Sequence, residues 1–161
     1  MAATTTMGVS TIGAKFGWAT ETTAGTKPAS FTMIERCNSI GGIDISVETI
    51  DASALEDSST KRIPGRTDPA DSFNVTFNLT DAVMTEIESM ITAYQALTGG
   101  KRMWVDIYVP GLAKSCFIVA APPASIPMPE VGQNNLLTVE LPFVIEDFKG
   151  WDTAIVPALA A

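Results

Sequence analysis

Histidine is absent from this 161-residue chain, and only two cysteines and ten lysine and arginine residues are present. Without an imidazole there is no Ser/His/Asp or Cys/His relay, no general base that titrates near neutrality and no histidine metal ligand. The ten bases face 18 acids, a net charge of -8, and they form no basic cluster. Tight binding to nucleic-acid phosphates needs clustered Lys and Arg to displace counterions, so this balance argues against it. Cys37 and Cys116 lie far apart with no CxxC pair, which reads as two reduced, largely buried thiols rather than a disulfide or a zinc site. Long apolar runs are missing too: the best, Cys116 to Ala121, stops at Pro122-Pro123, far short of a membrane span. The opening Met-Ala-Ala-Thr-Thr-Thr has neither the basic start nor the apolar stretch of a secretion signal, so a soluble protein made in a cytoplasm is expected.

What is present suffices for one domain. A composition 46% hydrophobic and 17% charged is that of a globular chain with a core. Residues 1–30, rich in Thr, Ala and Gly, read as an extended arm or irregular edge element, because β-branched Thr and Gly are poor helix formers. Residues 31–150 carry the expected β domain, and residues 151–161 an apolar tail. The clearest signal is an alternation with period two, apolar on one side and mostly polar on the other, in four segments. These are Ile43 to Ile50, Phe73 to Thr80, Met103 to Val109 and Leu136 to Glu146. Phe31 to Arg36 is a further short strand, and Lys114 to Ala121, apolar on both faces, should lie inside a sheet. A single helix is expected over residues 82–98: Asp81 stands at the N-cap position, and Val83, Ile87, Met90, Ile91, Tyr94 and Leu97 recur at helical spacing before Gly99-Gly100. That stripe is expected to pack on the sheet.

Two stretches fit a lone sandwich poorly. Residues 48–71 show no convincing period, and loops beyond about 15 residues are uncommon unless they function or are disordered. The tail, with Ile155, Val156 and Leu159, is uncharged from Thr153 onward and awkward in water. Both read as parts completed by neighbouring molecules. Enzymatic chemistry finds little purchase. Thr98-Gly99-Gly100-Lys101 lacks the first glycine and the following helix of a phosphate loop, and the acids form no compact calcium loop. Asn74-Val75-Thr76 and Asn78-Leu79-Thr80 match a glycosylation pattern but fall in an expected strand. No catalytic, cofactor or metal site is expected.

The polar face of the four alternating strands holds Asp44, Ser46, Glu48, Asn74, Thr76, Asn78, Asp106, Thr138 and Glu140, with no Lys or Arg. Exposed strands ordinarily mix charge signs. A face without positive charge suits a surface along which a polyanion moves without sticking.

In its order of elements the chain resembles the major tail tube proteins of long-tailed bacteriophages. The resemblance rests on Ser39-Ile40-Gly41-Gly42-Ile43-Asp44-Ile45-Ser46-Val47-Glu48-Thr49-Ile50-Asp51, then Lys61-Arg62-Ile63-Pro64-Gly65-Arg66-Thr67-Asp68, the polar-faced strand at Phe73, the single helix and the closing Val139-Glu140-Leu141-Pro142-Phe143 strand. It covers roughly residues 10–150. It implies a mainly β sandwich or barrel with one flanking helix, hexameric rings stacked into a hollow tube, and a long loop that bridges subunits or rings. Partners implied are the protein itself, a tape measure protein inside, terminator and distal tail proteins at the ends, and DNA passing without specific binding. The nine polar residues above become candidates for the lumen wall. Leu55, Asp57, Lys61, Arg62, Ile63, Pro64, Gly65, Arg66 and Asp68 become candidates for intersubunit contacts, with Arg62, Arg66, Asp57 and Asp68 expected in ion pairs. The competing readings are the tube of a contractile tail, bacteriocin or secretion system, and, from a different class, a capsid decoration or carbohydrate-binding sandwich. The last would display clustered exposed aromatics, for which only Trp104 and Tyr108 are candidates.

Overall fold

A computed structural model describes residues 7–160. The chain is mainly β with one helix, as expected. Seven strands form an antiparallel sheet: β1 (Lys15–Thr20), β2 (Thr32–Ile34), β3 (Cys37–Ile40), β6 (Ser72–Asn78), β7 (Met103–Tyr108), β8 (Lys114–Ala121) and β9 (Thr138–Thr153). Between β3 and β6, β4 (Ile45–Asp51) and β5 (Arg62–Pro69) pair only with each other, and α1 (Asp81–Gln95) follows β6.

The sheet order is β2-β1-β7-β8-β9-β6-β3, so β2 and β3 stand at opposite ends. Yet only Glu35 and Arg36 separate them in sequence. Three Cα steps of 3.8 Å span at most about 11 Å, so the two ends of the sheet must meet. The core confirms the curl. The Phe16 ring of β1 lies 5.6 Å from that of Phe77 on β6 and 5.4 Å from that of Phe143 on β9. In a flat sheet at ~4.8 Å per strand, β1 and β6 would stand about 19 Å apart. Arg36, with φ of 58°, makes the sharp turn at the join, and Glu86 of α1 accepts the Glu35 N–H at 2.9 Å.

Period-two alternation becomes this interior directly. Phe73, Val75 and Phe77 of β6 and Val139, Leu141 and Phe143 of β9 are buried side by side, with Phe73 opposite Phe143 and Val75 opposite Leu141. α1 lays Val83, Ile87, Met90 and Ile91 on the same core. Its N-cap is Thr80, whose Oγ1 accepts the Val83 N–H at 3.2 Å; Asp81 is the first helical residue, so the helix starts one place earlier than the sequence suggested. The helix also stops earlier than residue 98, with Ala96 as C-cap.

Three expectations need correction. Residues 15–20 are not an arm: β1 pairs with both β2 and β7, and Phe16 is fully buried. The last strand runs on to Thr153, pairing β6 with its first half and β8 with its second across two register shifts. Gly150, at φ 81°, sits at the second shift, where a backbone conformation open to glycine keeps so long a strand in the ladder. Residues 48–71 are not an irregular loop but mostly the β4–β5 hairpin. The tail is anchored in part, with Val156 and Leu159 left half exposed. Ala158 forms a parallel bridge to Thr32, its carbonyl accepting the Met33 N–H at 2.7 Å, while Ile155 packs on the sheet.

Candidate assembly surface

The inner face of the sheet is filled except for an open mouth at one end, so the main surfaces left to act are the outer face and the hairpin. The outer face divides in two. Over β1, β7 and β8 it is apolar, with Trp104, Phe117 and Val119 buried beneath Phe31 and Ile155. Two segments without regular structure cover it, residues 21–31 and 154–160. Gly17 marks how tightly: a Cβ there would stand 2.7 Å from the Pro157 ring and 3.2 Å from Phe31.

Two acids are buried here in opposite circumstances, Glu21 at the start of the cover and Asp106 beneath it. Glu21 is almost fully buried and accepts the Arg102 N–H at 2.8 Å and the Trp104 indole N–H at 3.0 Å. Burial opposes its ionisation, but those hydrogen bonds outweigh it and hold the carboxyl below its ordinary range. Asp106 is fully buried and neither carboxylate oxygen makes a hydrogen bond; the buried Ser115 hydroxyl is equally unpartnered. Burial pushes the Asp106 carboxyl up to about 7, with nearby Ser115 and the Lys27 ammonium offsetting part of the effect.

Asp106 is therefore not on an open polar face. Strand parity correctly set it opposite Val105 and Ile107, but the covering segments close over it. Asp44, Ser46 and Glu48 are also displaced from the expected face. Asp44 precedes β4, and Ser46 and Glu48 stand on the hairpin, all exposed and apart from the main sheet. The remaining five come together on the open part of the outer face: on β6 and β9, Thr76 stands opposite Glu140 and Asn78 opposite Thr138, with Asn74 next along. Asn38 on β3 donates to Asn78 Oδ1 at 2.8 Å and extends the polar strip.

The hairpin is the other uncovered surface. Every residue of β4 is exposed, and Ile45, Val47, Ile50 and Ile63 each leave about half their surface in water (49%, 51%, 51% and 51%). Ile50 faces Ile63 across the ladder, with Thr49 opposite Pro64 and Asp51 opposite Arg62. Gly65 lies at the register shift against Glu48, where a Cβ would meet the Glu48 carbonyl oxygen at 3.2 Å. Leu55 is wholly exposed at the tip. Several polar candidates are engaged within the hairpin. Asp57 accepts the Ala54 N–H at 2.8 Å, the Lys61 N–H donates to Ser53 Oγ at 2.8 Å, and Ser46 Oγ donates to the Asp68 carbonyl at 3.1 Å. Arg66 approaches Glu48 at 3.8 Å in an exposed pair, a contact worth at most about 1 kcal/mol. Among the described residues, Arg62 and Asp68 make no ion pair. An isolated two-stranded ribbon is marginal in water, and this one carries its apolar side chains outward with no layer against them.

Where β9 runs past the end of β6, the sheet leaves an open mouth of about 630 Å³, lined by Ile40, Ile43, Ile107, Phe148 and Trp151 together with both cysteines. Burial pushes each thiol up to about 11, with Asp106 adding to the effect at Cys116, so both are inert. Among the described residues no cluster of three or more acids and cysteines could hold a metal, and no helix is long and apolar enough to cross a membrane.

The fold itself recurs in chains of the anti-feeding prophage. A chain in the cryo-EM structure of the anti-feeding prophage baseplate, 6-fold symmetrised, matches with a TM-score of 0.56 at 10% identity, covering 97% of this chain and 99% of its own. A chain in the cryo-EM structure of the anti-feeding prophage tube-terminating cap matches with a TM-score of 0.59 at 14% identity, over 96% and 97%. No protein-family model and no curated protein matches the sequence. The likeness is one of fold.

Proposed function

We propose that this chain is a structural subunit of a phage-tail-like particle, and that it polymerises as hexameric rings stacked into the tube of a contractile-type tail. The observation that carries this reading is the likeness in fold, end to end in both directions, to chains from two parts of one such particle, a 6-fold baseplate and a tube-terminating cap. It favours the contractile-type tube over the tube of a long-tailed phage. The hairpin supports polymerisation: a ribbon with outward apolar side chains gains its missing layer from a neighbour, in a head-to-tail contact that closes into a ring. In that assembly the strip of Asn74, Thr76, Asn78, Thr138 and Glu140 is the candidate lumen wall. It bears one acid and no base, so a polyanion passing at short range meets no cation to hold it. Terminator, tape measure and distal proteins are the partners a tube of this kind requires. The role is structural rather than catalytic.

Negative-stain electron microscopy of the purified protein tests the reading. Six-fold rings or tubes with a central pore are expected. Monomers that persist at high concentration and in high salt would overturn it.

A further inference from the structure

The two covering segments, residues 21–31 and 154–160, do not lie on a purely apolar bed. On either side of Asp106 in the sheet stand Gly17 and Phe117, and both are roofed. Pro157 and Phe31 close over Gly17. Phe31 packs on Phe117 with ring centroids 5.6 Å apart, and the Lys27 ammonium rests 3.6 Å above the same ring. The carboxyl between them is shut in with no hydrogen bond, beside a Ser115 hydroxyl that also has none. A carboxylate in such a place is costly in its charged form and tolerable only as the neutral acid.

We propose that residues 21–31 and 154–160 form a proton-controlled cover, closed over Asp106 while its carboxyl holds a proton and loosened when that proton leaves. The groups that face the site come from three elements. Lys27 belongs to the cover itself, and its ammonium is held by Asp152 of β9 at 3.1 Å, where the exposed carboxylate keeps it at the rim. Lys114 and Cys116 of β8 complete the set, the first acting on Asp152 and the second feeling the Asp106 charge. Lys27 attracts the ionised form, yet burial outweighs that attraction. With the cover open, the carboxyl returns to water and to its ordinary acidity. Proton linkage then fixes the direction. The cover is tightest below about pH 4, loosens as pH rises through the interval up to about 7, and changes no further above it. Its release would bare Trp104, Phe117 and Val119, an apolar strip distinct from the hairpin.

Hydrogen exchange read by mass spectrometry, corrected for intrinsic rates, tests this on the full chain in its isolated oligomeric state. Between pH 4.5 and pH 8, protection of residues 21–31 and 154–160 relative to β6 should fall by roughly tenfold or more. In Asp106→Asn the relative protection should be the same at both pH values. Equal protection in the wild-type chain, or the same fall in Asp106→Asn, overturns the proposal. Should Asp106→Asn fail to fold, the carbon-13 signal of the wild-type Asp106 carboxyl decides. A midpoint between pH 6 and 8 supports the cover; one below 5 sinks it.

Discussion

Glu21, just past the end of β1, and Asp106 of β7 are both buried acids at the covered face, and their contrast lies in what donates to them. Glu21 has two N–H donors aimed at its two oxygens, so burial strengthens the contact. Its lowered pKa means a contribution to stability that is present above the usual glutamate range and is lost as pH falls through the folded value. Glu21→Gln offers one acceptor where two are needed and should cost about 1–3 kcal/mol near neutrality. Urea unfolding at pH 7 and again at pH 3.5 checks this, with the deficit shrinking at the lower pH. Asp106 works in the opposite sense and destabilises the fold progressively from about pH 4 to 7. Neither role was legible in the sequence. Parity alone set Asp106 on the face opposite Val105, but its burial depends on residues 21–31 and 154–160, which have no period to announce where they pack.

At the scale of elements, legibility followed the strength of the periodic signal. β8 spans the expected Lys114 to Ala121, and β6 buries three of the four residues its alternation selects, Phe73, Val75 and Phe77, with Leu79 past its end and partly buried. The helical stripe found its core, while the cap fell one residue earlier because Thr80 and Asp81 are both good N-cap residues and local backbone geometry chooses between them. β4 shows the limit. Its alternation promised an inward apolar face, yet the strand pairs only with β5 and faces solvent on both sides, since alternation reports a sheet partner and not which molecule supplies the opposing layer. β5 was hidden by Pro64, Gly65 and a register shift, all of which blur a period of two. The hairpin yields a direct prediction: Ile50→Asp combined with Ile63→Lys sets opposite charges across the ladder and should leave the thermal melt of the main sheet nearly unchanged, as surface changes do, while abolishing rings or tubes by sedimentation. Tubes that form unchanged would remove the hairpin from the assembly.

Across the whole molecule, the acid surplus visible in the composition is not gathered on one face. It is spread over the hairpin, α1, β9 and the covered region, and only Glu140 stands within the open polar strip. The lumen reading therefore rests less on negative charge than on the absence of positive charge. Glu140→Lys should assemble normally and slow passage of a polyanion through the finished tube, measured as the rate of cargo release from otherwise wild-type particles. Normal release, together with cryo-EM density for this side chain on the outer wall, would exclude β6 and β9 from the lumen.

The two-residue join between β2 and β3 governs more than shape. Neither Glu35 nor Arg36 belongs to a strand, so cutting the backbone between them would break no hydrogen bond between neighbouring strands. A nicked or circularly permuted chain would keep all seven strands in order, yet nothing covalent would hold the first against the last. What would then keep the phenylalanine core wrapped is burial alone, Phe16 against Phe77 and Phe143 with α1 laid on the same core, so a protease that reached the join would remove the covalent tie and leave the curl to the hydrophobic effect.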